Sequence, residues 1–181
     1  GNVVDPFELI KKYGVDATRY FLLREIPAYE DGDFSYEKFE ERYNADLANG
    51  LGNFTARVLT LANGQEFKSD GIDKSIDSEI KKIRADVSQK LSEFKFNEAL
   101  AAIWNLIKFG DTYINEKKPW GTKDKEVILN LVIILDNVAA LLKPFLTETS
   151  RKITESIKWE GDKLSVKKII PLFPRIDRHA V

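Results

Sequence analysis

Cysteine is absent from all 181 residues, which excludes disulfides, thiolate nucleophiles and cysteine-based zinc sites and fits a reducing, cytoplasmic setting. Methionine is absent as well and the chain opens Gly1-Asn2, so it reads as a piece or processed product of a longer protein. The single histidine, His179, lies in the tail; without Glu-x-x-His pairs a di-iron carboxylate bundle is ruled out, and no metal site is expected. Neither sign of charge dominates. With 28 Lys and Arg against 29 Asp and Glu, composition exerts no global pull on nucleic acid or an anionic membrane, and any RNA contact must come from local patches. Long apolar runs are scarce. The strongest, Val127 to Leu142, carries Asn130, Asp136 and Asn137 and is too short to span a bilayer, and no signal peptide is visible. What is present is 43% hydrophobic residues, enough for one folded domain with a real core.

Helix signals run the length of the chain. Asp5-Pro6 is a cap followed by a first-turn proline, and Tyr13-Gly14 stops that helix after about two turns. Asp16 is predicted to cap a second short helix, Ala17 to Arg24. Pro27 and the acidic stretch from Tyr29 to Asp33 then break the chain, and a domain boundary is placed there. Ser35 is predicted to cap a long helix whose apolar stripe runs through Phe39, Tyr43, Leu47, Leu51, Phe54, Val58 and Leu61 to a stop at Asn63-Gly64. Residues 65–74 read as a loop, Asp77 opens a charged amphipathic helix, and Asn97 caps an apolar one that ends before Pro119. Asp124 opens the helix to Leu142 and Pro144 a last amphipathic helix, leaving an extended or irregular tail from Lys158. The pattern predicts an all-α bundle of about five long helices over residues 35–176, a small connector over 1–34 and a tail over 177–181.

Opposite the apolar stripe of the long helix lies a polar one, Arg42, Asp46, Asn49, Asn53 and Arg57. Asn53 and Arg57 sit four residues apart, and Trp120 follows a Lys117-Lys118-Pro119 helix stop. An indole stacks on any base, whereas an amide and a guanidinium hydrogen-bond to base edges and so tell bases apart. Lys108, Lys117, Lys118, Lys123 and Lys125 lie close to Trp120 in sequence, and the first four are candidate phosphate contacts.

Gly1 to Pro6, Tyr13 to Glu25 and Asp31 to Ser35 closely resemble methionyl-tRNA synthetase. The resemblance continues through Arg42 to Asn49, Leu51-Gly52-Asn53 and Tyr113 to Trp120, and closes with Pro171 to Ile176. In that family the first of these segments follows the KMSKS loop that binds ATP. The resemblance therefore implies an anticodon-binding helical bundle joined to a catalytic domain that lies outside this chain, so the chain alone is expected to be inactive. It implies no cofactor here, with ATP and methionine used by the parent ligase. It further implies that Trp120 stacks on the first base of a CAU anticodon in tRNA(Met), while Asn53 and Arg57 contact the Watson-Crick edges of that base and its neighbour. Two alternatives stay open: the equivalent domain of a leucyl, isoleucyl or valyl enzyme, and a helical protein-protein scaffold whose polar stripe faces water.

Other residues read as structural. Trp104 and Trp159 are expected to pack, and Asp16, Arg19 and Arg24 to pin the connector helix. Asp111 and Glu116 are a carboxylate pair with no histidine or nucleophile beside them. Between positions 25 and 46, eight acids (Glu25, Glu30, Asp31, Asp33, Glu37, Glu40, Glu41 and Asp46) are matched only by Lys38 and Arg42, so RNA is expected to approach from the opposite end.

Overall fold

A computed structural model describes residues 4–26, 32, 34–68 and 72–177, and helices account for most of them. Helix α1 (Pro6–Tyr13) is capped by Asp5, whose carboxylate accepts from the Phe7 amide at 2.8 Å, and it ends at Gly14 with φ +88°, a conformation only glycine adopts easily. Helix α2 (Val15–Glu25) starts one residue before Asp16 and takes no side-chain cap. The Asp16 carboxylate instead accepts from the Thr149 amide at 2.7 Å and so caps the N-terminus of a helix 133 residues downstream. That correction follows from position: inside its own first turn Asp16 points away from the orphan amides there, while a packed neighbour offers others.

The long helix forms with a difference. Ser35 caps it as expected, accepting from the Lys38 amide at 3.2 Å. Between α3 (Tyr36–Arg42) and α4 (Asn53–Ala62), however, Tyr43–Gly52 winds as a π-helix. The looser winding rotates α4 relative to α3, so Arg42 and Asp46 do not share one face with Asn53 and Arg57. The rest of the bundle is α5 (Lys74–Ser92), α6 (Phe96–Lys117), the single turn α7 (Pro119–Thr122), α8 (Lys125–Leu142) and α9 (Thr147–Ser156). Asp73, not Asp77, caps α5, accepting from the amides of Ser75 and Ile76; Asn97 lies inside α6 behind Lys95. Asp124 caps α8 as predicted. Pro144 does not start α9, which begins at Thr147 after the buried pair Phe145 and Leu146.

A small antiparallel sheet was not expected. Strand β1 (Glu66–Lys68) falls in the predicted loop, and β2 (Ile157–Glu160) and β3 (Lys163–Val166) fall at the start of the predicted tail. The order is β1-β3-β2, with Phe67 opposite Leu164 and Ile157 opposite Val166. These four residues are buried and join the helical core, which explains why strands form in segments too short to show a period-two pattern.

The core centres on α8, whose Leu131, Val132, Ile134, Leu135, Val138, Ala139 and Leu142 are inaccessible to solvent. Ala17, Tyr20 and Phe21 of α2 belong to the same hydrophobic cluster, so α2 and the bundle share one interior. The irregular C-terminal segment is strapped back onto the π-helix. Asn44 both donates to and accepts from the Ile176 backbone at 2.9 Å, and Phe173 packs edge-on against Tyr43. Residues 27–31, 33 and 178–181, which include His179 and part of the acidic stretch, lie outside the described set. No helix among the described residues is long and apolar enough to cross a membrane.

Candidate nucleic-acid interface

Helices α4 and α6 run in the same direction and touch closely. Gly110 of α6 abuts the ring of Phe54, and a Cβ at that position would overlap it. Arg57, close to one turn beyond Phe54, reaches across this contact. Its Nη1 donates to Asp111 Oδ1 at 3.0 Å and its Nη2 to Asn115 Oδ1 at 2.7 Å. Asp111 and Asn115 are four residues apart and so share a face of α6. Burial pushes the Asp111 carboxyl above its ordinary range, and the Arg57 charge pulls it partly back.

Trp120 owes its position to unusual backbone. Helix α6 ends at Lys118 in the left-handed conformation (φ 46°), α7 makes one turn, and Lys123 is again left-handed (φ 52°). Positive φ at non-glycine residues is uncommon and stores strain, which clusters at binding sites. Pro119 is buried and anchors the turn, while the next residue, Trp120, leaves 54% of its surface exposed. The Arg57 guanidinium carbon lies 5.9 Å from the centre of the Trp120 ring. Together with Ala56, Thr60, Leu61 and Ile114 these two side chains line a shallow groove of about 330 Å³, at the small end of ligand-binding pockets and suited to one planar ring.

Asn53 is exposed one turn before Arg57, about 6 Å along the helix axis. Lys117, Lys118 and Lys123 are exposed on either side of Trp120, and the Lys117 ammonium sits 5.8 Å over the Tyr113 ring. Lys108 stands apart from them. It lies one turn before Asp111 on α6, which is the level of Asn53, so the lysines flank a strip at its two ends. Lys125 is exposed on the first turn of α8. The structure thus brings Arg57 and Trp120 together with Asn53 one turn away. The sequence reading missed Asp111 and Asn115 as partners of Arg57, and Thr60 as a groove residue. Their i, i+4 spacing was visible, but its meaning required knowing that α6 lies beside α4.

Elsewhere on the predicted polar stripe Asn49 stays exposed, while Arg42 and Asp46 are half-buried and paired within the protein. Arg42 forms ion pairs with Glu25 and, at 3.3 Å, with Asp46, and the Tyr20 hydroxyl donates to Asp46 at 2.7 Å. Lys12 of α1 also reaches Glu40 at 3.3 Å, so the acids of this end have more positive partners than Lys38 and Arg42 alone. Arg19 donates to the carbonyls of Phe145 and Pro144 at 2.8 and 2.9 Å, which with the Asp16 cap pins α2 to the α8–α9 junction. Arg24 adds nothing comparable through its Nε, which is buried without a hydrogen-bond partner. Trp104 packs against the core as expected, its ring 4.5 Å from Tyr20 and its Nε1 donating to the Asp46 carbonyl at 3.3 Å.

The helical bundle thus presents an exposed indole, a braced guanidinium and a nearby amide on one surface, and comparison with known proteins assigns the class. Residues 73–177 match the family described as the anticodon-binding domain of tRNA ligase, and residues 1–59 match that of class I (M) tRNA synthetases. The chain belongs to the anticodon-binding domain family of tRNA ligases, within the methionyl-tRNA synthetase group. It is 38% identical over 209 residues to the methionine–tRNA ligase of Caldanaerobacter subterraneus, with 98% of this chain and 32% of the relative covered. Against the enzyme of Clostridium acetobutylicum the identity is 40% over 210 residues, with the same shares covered. Among solved structures, Mycobacterium tuberculosis methionyl-tRNA synthetase bound by methionyl-adenylate superposes with a TM-score of 0.85 at 25% identity, covering 96% of this chain and 40% of that one. The chain therefore spans about a third of the length of the curated relatives it matches.

Proposed function

We propose that this chain reads the CAU anticodon of tRNA(Met) on behalf of a methionine-tRNA ligase, which uses ATP to charge that tRNA with methionine in the cytoplasm. Its partners on this reading are the anticodon loop and the ligase's catalytic domain. The observation that carries the reading is the exposed Trp120 beside an Arg57 braced from behind by Asp111 and Asn115. Trp120 stacks on the first anticodon base, contributing roughly 1–3 kcal/mol with little choice among bases. Choice falls to Asn53 and Arg57. Cytosine offers an amine donor beside two acceptors; an amide both donates and accepts, and Arg57 keeps three of its five N–H donors after the two spent on α6. Lys108, Lys117, Lys118 and Lys123 hold the loop's phosphates, giving a modest salt dependence of about −0.7 per neutralised phosphate.

The test is quenching of tryptophan fluorescence by a CAU stem-loop against a UAU control, on this chain and on Trp120→Phe and Asn53→Ala. Quenching selective for CAU is expected, weakened by Trp120→Phe and made unselective by Asn53→Ala. Equal responses to both loops in all three proteins would sink the reading and leave a scaffold role.

A further inference from the structure

Arg57 alone has too much freedom to discriminate between bases. An unrestrained arginine on a helix surface turns about four side-chain bonds, and a guanidinium that can offer its donors in many directions satisfies cytosine and uracil alike. Two bonds to different nitrogens remove that freedom. Asp111 takes Nη1 and Asn115 takes Nη2, and because both acceptors stand on one rigid face of α6 they set the plane of the guanidinium as well as its position. One bond would leave rotation about its own axis. The N–H groups that remain are then aimed from a fixed plane beside the groove bounded by Trp120 and Thr60.

We propose that Asp111 and Asn115 are positioning residues for anticodon reading: they orient Arg57 so that base selectivity, more than overall affinity, depends on them. The proposal deepens the function proposed above and rests on it. The two helices also gain a tie from the Arg57–Asp111 ion pair, and a purely structural tie would alter melting while leaving selectivity alone. Packing between Gly110 and Phe54 already holds α4 against α6, so the tie is not what brings the helices together.

The experiment uses the full chain and compares Asn115→Leu, Asn115→Asp and Asp111→Ala with the unaltered protein. Asn115 is exposed, so its variants keep the fold, and thermal melting checks this. Binding of CAU and UAU stem-loops at one ionic strength gives selectivity as a ratio of Kd values. Nitrogen NMR of the Arg57 side chain, without RNA, reports whether the guanidinium rotates. Expected are a hindered guanidinium in the unaltered chain, its release in Asn115→Leu with roughly a tenfold loss of selectivity, and retention of both properties in Asn115→Asp, which keeps the acceptor. Asp111→Ala should release the guanidinium too. If the unaltered chain separates the two loops and Asn115→Leu separates them equally well, the positioning role is overturned while anticodon reading stands. If the unaltered chain does not separate them, anticodon reading fails and this proposal with it.

Discussion

Trp104 and Trp120 are carried by the same stretch of chain, one within α6 and one just past its end, yet they live in opposite surroundings. Around Trp104 polar groups pair with one another: Tyr20 stacks on the indole and donates to Asp46, the indole donates to the Asp46 carbonyl, and Arg42 bridges Asp46 and Glu25. Around Trp120 the ingredients recur, an arginine paired with an aspartate next to an indole, but among the described residues no helix lies over them. Helix α2 makes the difference. Where it covers α6 the arginine, aspartate and tryptophan become a joint; beyond its reach the same residue types remain available to a ligand. Residue type therefore says little about role until the covering element is known.

That contrast can be broken from either side. The largest effect is expected for Trp104→Ala, which should cost about 3 kcal/mol of stability by emptying a packed site and freeing the Asp46 carbonyl. Trp120→Ala should stay within about 0.5 kcal/mol of the unaltered protein in urea melts while weakening binding of the CAU loop by about 5- to 150-fold. Equal destabilisation by both changes would erase the distinction between the two regions. Next in size is Gly110→Ala, between the two tryptophans. Pressing a methyl group into the Phe54 ring should cost about 1–3 kcal/mol and, by pushing α4 off α6, loosen Arg57 from Asp111 and Asn115. A variant of full stability would mean that the helices part without strain.

The smallest and most specific effect concerns pH at the buried joint. Burial, reinforced by Asp46, holds the Tyr20 phenol well above its ordinary value near 10. The folded state then keeps a proton that the unfolded state releases, so the stabilisation is complete below about pH 10 and declines as pH rises beyond it, by up to about 1.4 kcal/mol per unit. Tyr20→Phe should cost about 1 kcal/mol at neutral pH through the lost bond to Asp46 and should flatten the alkaline decline. An unchanged alkaline slope in melts from pH 8 to 11 would move the effect to another tyrosine.

Much of this protein was legible in its residues. The caps at Asp5, Ser35 and Asp124 act on amides two or three residues away, so local sequence contains all the partners they need. Asp73 and Asp77 show the limit: both stand near the start of α5, and the choice of Asp73 depends on its neighbourhood, where its amide donates to the buried Asn130 side chain at 3.3 Å. The sheet was illegible for a related reason. Each strand has three or four residues, too few to display a period, and β1 pairs with β3 across a separation of nearly a hundred residues. At the candidate site the residues Asn53, Arg57 and Trp120 were identifiable one by one, whereas their partners were not.

Sequence by itself determined the helical class, the helix starts at Asp5, Ser35 and Asp124, the apolar α8 that would become the core and the family to which the chain belongs, because each is written in spacings of a few residues or in a motif. Tertiary structure decided the rest. It wound Tyr43–Gly52 as a π-helix that turns Asn53 and Arg57 away from Arg42 and Asp46, sent the Asp16 carboxylate to cap α9, and set Asp111 and Asn115 behind Arg57. All three depend on which helix packs beside which, and that is settled by burying one shared apolar interior rather than by any local preference of the chain.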